Sequence, residues 1–275
     1  MDANRRSNAG TLSTTSHARK HLPLICIRNT QYYYFNEILD EPDWTGKKIL
    51  DFGGNVGGFL IGAPPAIKHD DYWCIDLCQP ALERGRKTFP RAHFVFYDRY
   101  NSHYNPTGAL DLPIPFPGRM FDFILAFSVF THVSVREMLD LLDQLMRMLS
   151  GRGSLAFTFC DPHYDPTRDP RYDMSAANEQ VTWGSNLRHR FLWKMADYPC
   201  IDGQAFIEQA SNARSCTLVG DRFYVESDVV PPIHEEFGVH YDQFHTVDYI
   251  KELLPGAEIF SPVSPERQHC CVLRK

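Results

Sequence analysis

Residues 48–60 place the strongest constraint on the fold of this chain. They consist of a short apolar segment typical of a strand, an acid at its end (Asp51), a glycine-rich turn and the predicted start of a helix. Because glycine lacks a Cβ and tolerates positive φ, the backbone of such a turn can approach a ligand closely. The pattern predicts a nucleotide-like ligand at the carboxyl edge of a parallel sheet.

Strand-like and helix-like segments alternate from about residue 47, which predicts an α/β fold with a parallel sheet. Strands are expected at 48–51, 71–76, 93–97, 121–127 and 154–159. Helices are expected at 57–67, 80–88 and 135–149, the last capped by Ser134 and closed by Gly151 and Gly153. Near the end, the pattern predicts a helix at 246–254 and strands at 257–260 and 270–274.

Composition argues against several classes of protein. The net charge of -6 and the pI of about 6.0 disfavour a nucleic-acid partner. None of the eight cysteines has C-x-x-C spacing, so we expect no metal site. We find neither a secretory signal nor an apolar run long enough to span a membrane, and we therefore expect reduced thiols and a cytoplasmic location.

Asp51 indicates which kind of nucleotide the turn would bind. The G-x-G-x-x-G register of dinucleotide sites gives Gly53, Asn55 and Gly58, so the middle glycine is missing. A carboxylate just before the turn would oppose a pyrophosphate, but it would attract a cofactor that has positive charge and no phosphate. S-adenosylmethionine, with an ammonium and a sulfonium, fits this requirement.

Two further acids follow the next strands. Asp76, at the end of strand 2, can accept hydrogen bonds from both hydroxyls of a ribose. Asp98 follows strand 3 and could accept a hydrogen bond from an adenine amino group. An ordinary polar position at a strand end is the alternative for both residues.

These residues resemble the motifs of the class I S-adenosylmethionine-dependent methyltransferases, over about residues 47–160 and the terminal helix and strand pair. The resemblance implies a Rossmann-like, seven-stranded, mostly parallel sheet with helices on both faces, an antiparallel last strand and an inserted substrate segment. Asn55 replaces the middle glycine of the family's first motif. The implied cofactor-binding residues are Asp51, Gly53, Gly54, Asn55, Gly57, Asp76, Leu77, Asp98, Arg99, Phe127, Ser128 and Val129.

The resemblance also suggests how the chain is divided. We expect a mobile tail at 1–20, a lid segment at 21–46 and a cofactor-binding core at 47–161. An insertion on the substrate side is expected at 162–245, and a helix and strand pair that complete the sheet at 246–275. Within the insertion, the sequence predicts a hairpin of 216–219 and 222–226. Its aromatic residues suit an acceptor pocket, a satellite core or a homodimer contact, and these alternatives stay open: Trp183, Phe191, Trp193, Tyr198, Phe206, Phe223 and Tyr224.

Methyl transfer from a sulfonium is an in-line displacement, so the protein mainly aligns the reactants and excludes water. A hydroxyl or protonated amine acceptor also needs a base. His132, after strand 4, is the first candidate, and His163 and Tyr33 are further catalytic candidates. A structural role is the alternative for each. Weaker candidates are Asp161, Tyr164, His234, His240, Tyr241 and His245.

The sequence therefore predicts methyl transfer to a small organic acceptor, such as a natural product of secondary metabolism. Ser128-Val129-Phe130-Thr131 stands where methyltransferases acting on exocyclic or amide nitrogens carry Asn/Asp-Pro-Pro-Tyr/Phe, which disfavours those reactions. The alternatives are a methyltransferase acting on RNA or protein, a non-catalytic cofactor-binding scaffold and, less favoured, a nicotinamide-dependent dehydrogenase.

Overall fold

The computed structural model describes residues 30–164, 170–171, 213–219, 222–225, 241–263 and 268–275. Ten strands lie in these ranges: β1 (Ile49–Phe52), β2 (Tyr72–Asp76), β3 (His93–Phe96), β4 (Phe121–Ala126), β5 (Leu149–Phe159), β6 (Ser215–Val219), β7 (Arg222–Val225), β8 (Tyr241–His245), β9 (Glu258–Phe260) and β10 (His269–Arg274). The α-helices of the same ranges are α1 (Gln31–Ile38), α2 (Gln79–Thr88), α3 (Val135–Arg147) and α4 (Val247–Leu253).

Seven of these strands form one sheet in the order β3-β2-β1-β4-β5-β10-β9. The pairs from β3 to β5 are all parallel, and β10 runs antiparallel to both of its neighbours. The prediction of a seven-stranded, mostly parallel sheet with an antiparallel last strand is therefore confirmed. The strand order reverses between β1 and β4, and sheets of this kind bind ligands outside the carboxyl ends of the strands at that point.

Apolar clusters cover both faces of the sheet. Because side chains alternate along a strand, Leu50 and Phe52 face one cluster while Ile49 faces the other. The first cluster contains the buried stripe of α3, and the second contains α1 and part of α2. Asp51 shares its face with Ile49, so its carboxyl group lies on the side covered by α1.

The predicted helix over 57–67 is wrong. The structure has only a single 3-10 turn there, Gly58–Leu60. Gly62 then adopts a left-handed φ of 83°, and two consecutive prolines, Pro64 and Pro65, follow it. Since proline lacks the N–H that a continuing helix needs, the apolar residues of this segment pack as turns instead.

The fifth strand begins earlier than predicted. β5 starts at Leu149, so Gly151 and Gly153 lie inside the strand and do not close the preceding helix. The Cα of Gly153 packs directly against the Leu149 side chain, because a Cβ there would lie 2.7 Å from Leu149 Cγ. The Ser134 cap of α3 is confirmed, since its hydroxyl accepts a hydrogen bond from the Glu137 N–H at 3.2 Å.

A smaller sheet has the order β7-β6-β8. The predicted hairpin is confirmed, with β6 antiparallel to β7, but β8 was not predicted. The His245 N–H donates to the Cys160 carbonyl at 2.9 Å, which joins β8 to the end of β5. Outside the described residues lie the tail at 1–20, residues 21–29 of the lid, His234, His240 and five of the insertion's aromatic residues (Trp183, Phe191, Trp193, Tyr198 and Phe206).

None of the helices in the described part of the chain has the length and apolar character needed to cross a lipid bilayer.

Candidate cofactor and acceptor site

The turn after β1 has three alternate residues in the left-handed region. Gly53, Asn55 and Gly57 have φ values of 74°, 54° and 85°. Asparagine is one of the few residues other than glycine that adopt this conformation readily. Asn55 therefore keeps the shape of the turn although it replaces the middle glycine of the motif.

Two glycines of this turn lie where no side chain would fit. A Cβ on Gly53 would overlap the Val129 side chain, and a Cβ on Gly54 would overlap the Asp51 carboxyl group. The first contact brings the turn after β1 against the turn after β4. The absence of side chains at Gly53 and Gly54 therefore lets the turn pack closely on Val129 and Asp51 at the switch point of the sheet.

Asp51 lies completely buried beneath the turn. Its Oδ2 accepts a hydrogen bond from the Tyr72 hydroxyl and a longer one, of 3.4 Å, from the Phe59 N–H. Its Oδ1 has no hydrogen-bond partner within the described part of the chain. Burial raises the pKa of the Asp51 carboxyl to about 7, although both hydrogen bonds act to lower the pKa.

Asp76 fixes the turn to the end of β2. Its Oδ2 accepts the Asn55 N–H at 2.8 Å, and its Oδ1 accepts the Cys78 N–H at 2.7 Å. Each carboxylate oxygen can accept a second hydrogen bond, so the group can also hold two ribose hydroxyls. Burial raises the pKa of Asp76. Leu77, the next residue, is partly buried against the α3-side cluster.

The two residues predicted after β3 have different surroundings. Asp98 is exposed, and its carboxylate accepts a hydrogen bond from Asn105 Nδ2 at 3.0 Å. Arg99 is buried, and its guanidinium donates to Glu137 at 3.0 Å and to the Leu112 carbonyl at 2.8 Å. The charge of Arg99 is thus balanced by α3, which ties the loop after β3 to that helix.

A buried polar network holds the turn after β4. Ser128 has a φ of 58°, its N–H donates to Thr158 Oγ1 at 2.7 Å, and its hydroxyl accepts from Gln268 Nε2 at 3.0 Å. The Gln268 carbonyl accepts the Tyr34 hydroxyl at 2.9 Å. The Phe127 ring packs edge-on against Tyr34. α1, β5 and the residue before β10 therefore all position this turn.

His132 forms a pair with Asp242, an acid that no local sequence pattern indicated. The distance from His132 Nδ1 to Asp242 Oδ1 is 3.4 Å, and the exposed fractions of the two side chains are 15% and 3%. The His132 backbone N–H donates to the Val129 carbonyl at 3.0 Å, and the Tyr104 ring lies edge-on to the imidazole with 5.5 Å between the ring centroids. A buried carboxylate beside Nδ1 can orient the ring and stabilise the imidazolium that forms when a general base takes up a proton.

The other catalytic candidates lie elsewhere on the same edge. His163 is exposed, and its backbone N–H donates to Asp161 Oδ1 at 2.8 Å. Burial raises the pKa of Asp161. Tyr33 is half-buried in the first turn of α1, where its N–H donates to the hydroxyl of Thr30.

Sequence reasoning missed four of the residues that shape the site. Tyr72, Thr158 and Gln268 lie in or beside strands that read as core, and their polar contacts come from other elements. Asp242 lies on β8, whose pairing with β6 bridges a long stretch of sequence. In the described ranges, no three His, Cys, Asp or Glu side chains are grouped closely enough to hold a metal ion.

The reversal of strand order, the left-handed glycine turn and the carboxylate after β2 together define an α/β domain that binds a nucleoside-containing cofactor. Residues 50–155 match the model of a family described as a methyltransferase domain. The matched residues run from β1 into β5 and include the glycine turn, Asp76 and His132. The buried carboxyl group of Asp51 beneath this turn suits a cofactor that carries positive charge better than one that carries a pyrophosphate.

The chain is also similar to solved structures. With the pyocyanin biosynthetic protein PhzM, the TM-score is 0.46 and the identity 14%, over 88% of this chain and 54% of that one. With an S-adenosylmethionine-dependent methyltransferase from Mesorhizobium loti, the TM-score is 0.48 and the identity 15%, over 90% of this chain and 100% of that one. With magnesium protoporphyrin IX methyltransferase from Synechocystis, whose structure contains S-adenosylhomocysteine, the TM-score is 0.47 and the identity 12%, over 92% of this chain and 87% of that one. The chain thus spans about half the length of PhzM, and these values are too low to transfer an activity or substrate.

Proposed function

We propose that this protein transfers a methyl group from S-adenosylmethionine to a hydroxyl of a small organic molecule, with His132 as the general base. The observation that carries the proposal is the pairing of His132 with Asp242 at the carboxyl edge of the sheet. A reaction that needed only alignment of the reactants would not require a buried carboxylate behind an imidazole.

The position of His132 supports this role. Val129 packs against Gly53 of the cofactor turn, and the His132 N–H bonds to the Val129 carbonyl. His132 is therefore joined by one backbone hydrogen bond to Val129, the residue that contacts the turn after β1. Tyr104, whose ring is 47% exposed and lies edge-on to the imidazole, offers an apolar wall for a planar acceptor.

Each residue then has a distinct role. Asp76 holds the ribose, and the turn from Gly53 to Gly57 lets the cofactor approach the backbone. When bound, S-adenosylmethionine supplies a methyl group already activated by its sulfonium. His132 takes the proton from the acceptor hydroxyl as the oxygen attacks, and Asp242 stabilises the resulting imidazolium. We further propose that the insertion at 162–245 forms the acceptor side of the site, because it provides Asp242.

Calorimetry tests the choice of cofactor. We expect S-adenosylhomocysteine to bind and NAD to fail to bind at matched concentrations, because Asp51 opposes a pyrophosphate. Radiolabelled S-adenosylmethionine, incubated with pools of small phenols and other hydroxylated compounds, tests the reaction. Binding of NAD in place of S-adenosylhomocysteine would reject the proposal. Cofactor binding without turnover on any acceptor, RNA and protein included, would favour a non-catalytic scaffold.

Asp76→Ala is expected to weaken the binding of S-adenosylhomocysteine by about 1.5–3 kcal/mol, because hydrogen bonds from ribose to a charged carboxylate are lost. Isothermal titration calorimetry measures this change. Glu83→Gln, an exposed change on the neighbouring helix α2, is the control and should leave the affinity as it is. An unaltered affinity in Asp76→Ala would reject the ribose assignment.

A further inference from the structure

The loop after β3 contains a tight turn at 101–105, which we call the 101–105 hairpin. The Asn101 N–H donates to the Asn105 carbonyl at 3.1 Å, and the Asn105 N–H donates to the Asn101 carbonyl at 3.0 Å. Tyr104, near the tip, is exposed, whereas Asn101 is buried. A buried side-chain amide needs hydrogen-bond partners for both of its polar atoms, and the partners of Asn101 lie on two different parts of the chain.

One end of the Asn101 amide bonds to the candidate base, and the other end bonds to the hairpin tip. Asn101 Nδ2 donates to the His132 carbonyl at 3.1 Å. Asn101 Oδ1 accepts the His103 N–H at 3.1 Å and the Tyr104 N–H at 3.0 Å. These partners fix the orientation of the amide, because only its NH2 group can donate to a carbonyl and only its oxygen can accept from an N–H.

The His132 carbonyl requires a donor from outside its own turn. His132 ends the 3-10 turn Phe130–His132, and Val133 after it is extended, with φ of −137° and ψ of 158°. Carbonyl groups at the end of a helical turn have no partner within that turn, and Asn101 supplies one from the loop after β3. Since the Val129 carbonyl accepts the His132 N–H, both backbone polar groups of His132 are held in place.

The loop that carries Asn101 is itself anchored. The Tyr100 N–H donates to the Ala109 carbonyl at 2.9 Å, and the Ala109 N–H donates to the Asp98 carbonyl at 2.8 Å. The buried guanidinium of Arg99 ties the same loop to α3. Asn101 therefore extends from a loop that is fixed at several points, and it can hold a second segment of the chain in place.

We infer that Asn101 is a positioning residue for methyl transfer, which keeps the base His132 and the aromatic ring of Tyr104 in one fixed relation. This inference rests on the proposed function, in which Tyr104 forms a wall for the acceptor. Nδ2 sets the position of the base, and Oδ1 sets the position of that wall. Because a small misplacement of a catalytic group lowers its effect strongly, the loss of Asn101 affects turnover through His132.

Asn101→Asp is the sharpest variant, because it keeps the oxygen that accepts the two hairpin N–H groups and removes the NH2 group that bonds to His132. With the hydroxylated acceptor found by radiolabelling, we expect kcat to fall by about 10–100-fold. The KM for that acceptor and the affinity for S-adenosylhomocysteine should stay within about twofold of the wild-type values. Asn101→Ala removes both ends of the amide and should raise the acceptor KM as well as lower kcat. Steady-state kinetics and titration calorimetry measure these quantities.

The imidazole of His132 gives a readout that needs no acceptor. In NMR spectra of protein labelled with ¹⁵N-histidine, the ring signal that is lost in His132→Ala belongs to His132. We expect Asn101→Ala to shift this signal in the same direction as Asp242→Asn does, because the ring leaves its fixed place beside the carboxylate. Asn101→Ser should do the same, since its hydroxyl can accept an N–H but is too short to reach the His132 carbonyl. Thr107→Ala, an exposed change in the same loop, is the control and should leave both the signal and the turnover unchanged.

Melting temperatures check that every variant is folded. Full turnover in Asn101→Asp, or an unshifted imidazole signal in Asn101→Ala, would mean that Asn101 only closes the hairpin, and would overturn the inference. Equal losses from Asn101→Asp in the wild type and in His132→Ala would overturn it as well, because a residue that acts through His132 adds little once the imidazole is gone. If the wild-type protein turns over no hydroxylated acceptor, the proposed function itself fails, and the imidazole signal still decides whether Asn101 holds the ring.

Discussion

Asp51→Asn is expected to stabilise the ligand-free protein at pH 8 and to abolish its binding of S-adenosylhomocysteine. Burial raises the pKa of Asp51 to about 7, well above the usual value for an aspartate. The folded protein therefore holds a proton that the unfolded chain releases. The stability contributed by this proton is complete below about pH 4 and is lost as the pH rises through 7. At pH 8 the ionised, buried carboxylate costs on the order of 4 kcal/mol, which asparagine avoids.

Thermal unfolding between pH 5 and pH 8 measures this effect. The melting temperature of Asp51→Asn should exceed that of the wild type by more at pH 8 than at pH 5, because only the wild type loses a proton in that interval. Wild-type affinity for S-adenosylhomocysteine should rise over the same interval, since the cation prefers the ionised carboxylate. Glu83→Gln removes an exposed carboxylate and serves as the matched control. Parallel pH curves for Asp51→Asn and the wild type would contradict the prediction.

His132→Ala is expected to lower kcat by about 10²–10⁴-fold, the usual contribution of a general base. The affinity for S-adenosylhomocysteine should change little, because His132 lies on the acceptor side of the turn. Asp242→Asn keeps the size of the side chain but removes the charge that orients the imidazole and stabilises its cation. We expect it to reduce kcat, because the imidazole loses the carboxylate that orients it and stabilises its cation.

The double variant His132→Ala/Asp242→Asn tests whether the two residues act as one unit or independently. If Asp242 acts through His132, Asp242→Asn should add little to the loss already caused by His132→Ala. His93→Gln is the control and should retain full turnover. His93 begins β3, so it lies at the amino ends of the parallel strands, away from their carboxyl ends. Additive losses, or full activity in His132→Ala, would assign His132 a structural role.

Local sequence patterns predict the parts of the fold that depend on neighbouring residues. The stripe of α3 with its Ser134 cap and the apolar run of β4 were found because their periodicity and end signals agree with their final environment. The helix expected over 57–67 failed because Pro64 and Pro65 outweigh the apolar periodicity of that segment.

The candidate site likewise contains residues that local sequence patterns predict and residues that they do not. Asp51 and Asp76 follow from the order of strand and turn, and His132 follows from its place after β4. Asp242 could not be found, because its relation to His132 depends on the pairing of β8 with β6 and on the contact of β8 with the end of β5. The packing of the Gln31 amide on Gly58 could not be found either, because it depends on how α1 docks against the turn.

The His132–Asp242 pair spans two sheets, since the histidine follows β4 of the large sheet and the aspartate lies on β8 of the small one. In the proposed function, proton removal and cofactor binding therefore depend on different sheets. Local opening of the small sheet would then separate Asp242 from His132. The protein would still bind the methyl donor but could not activate an acceptor.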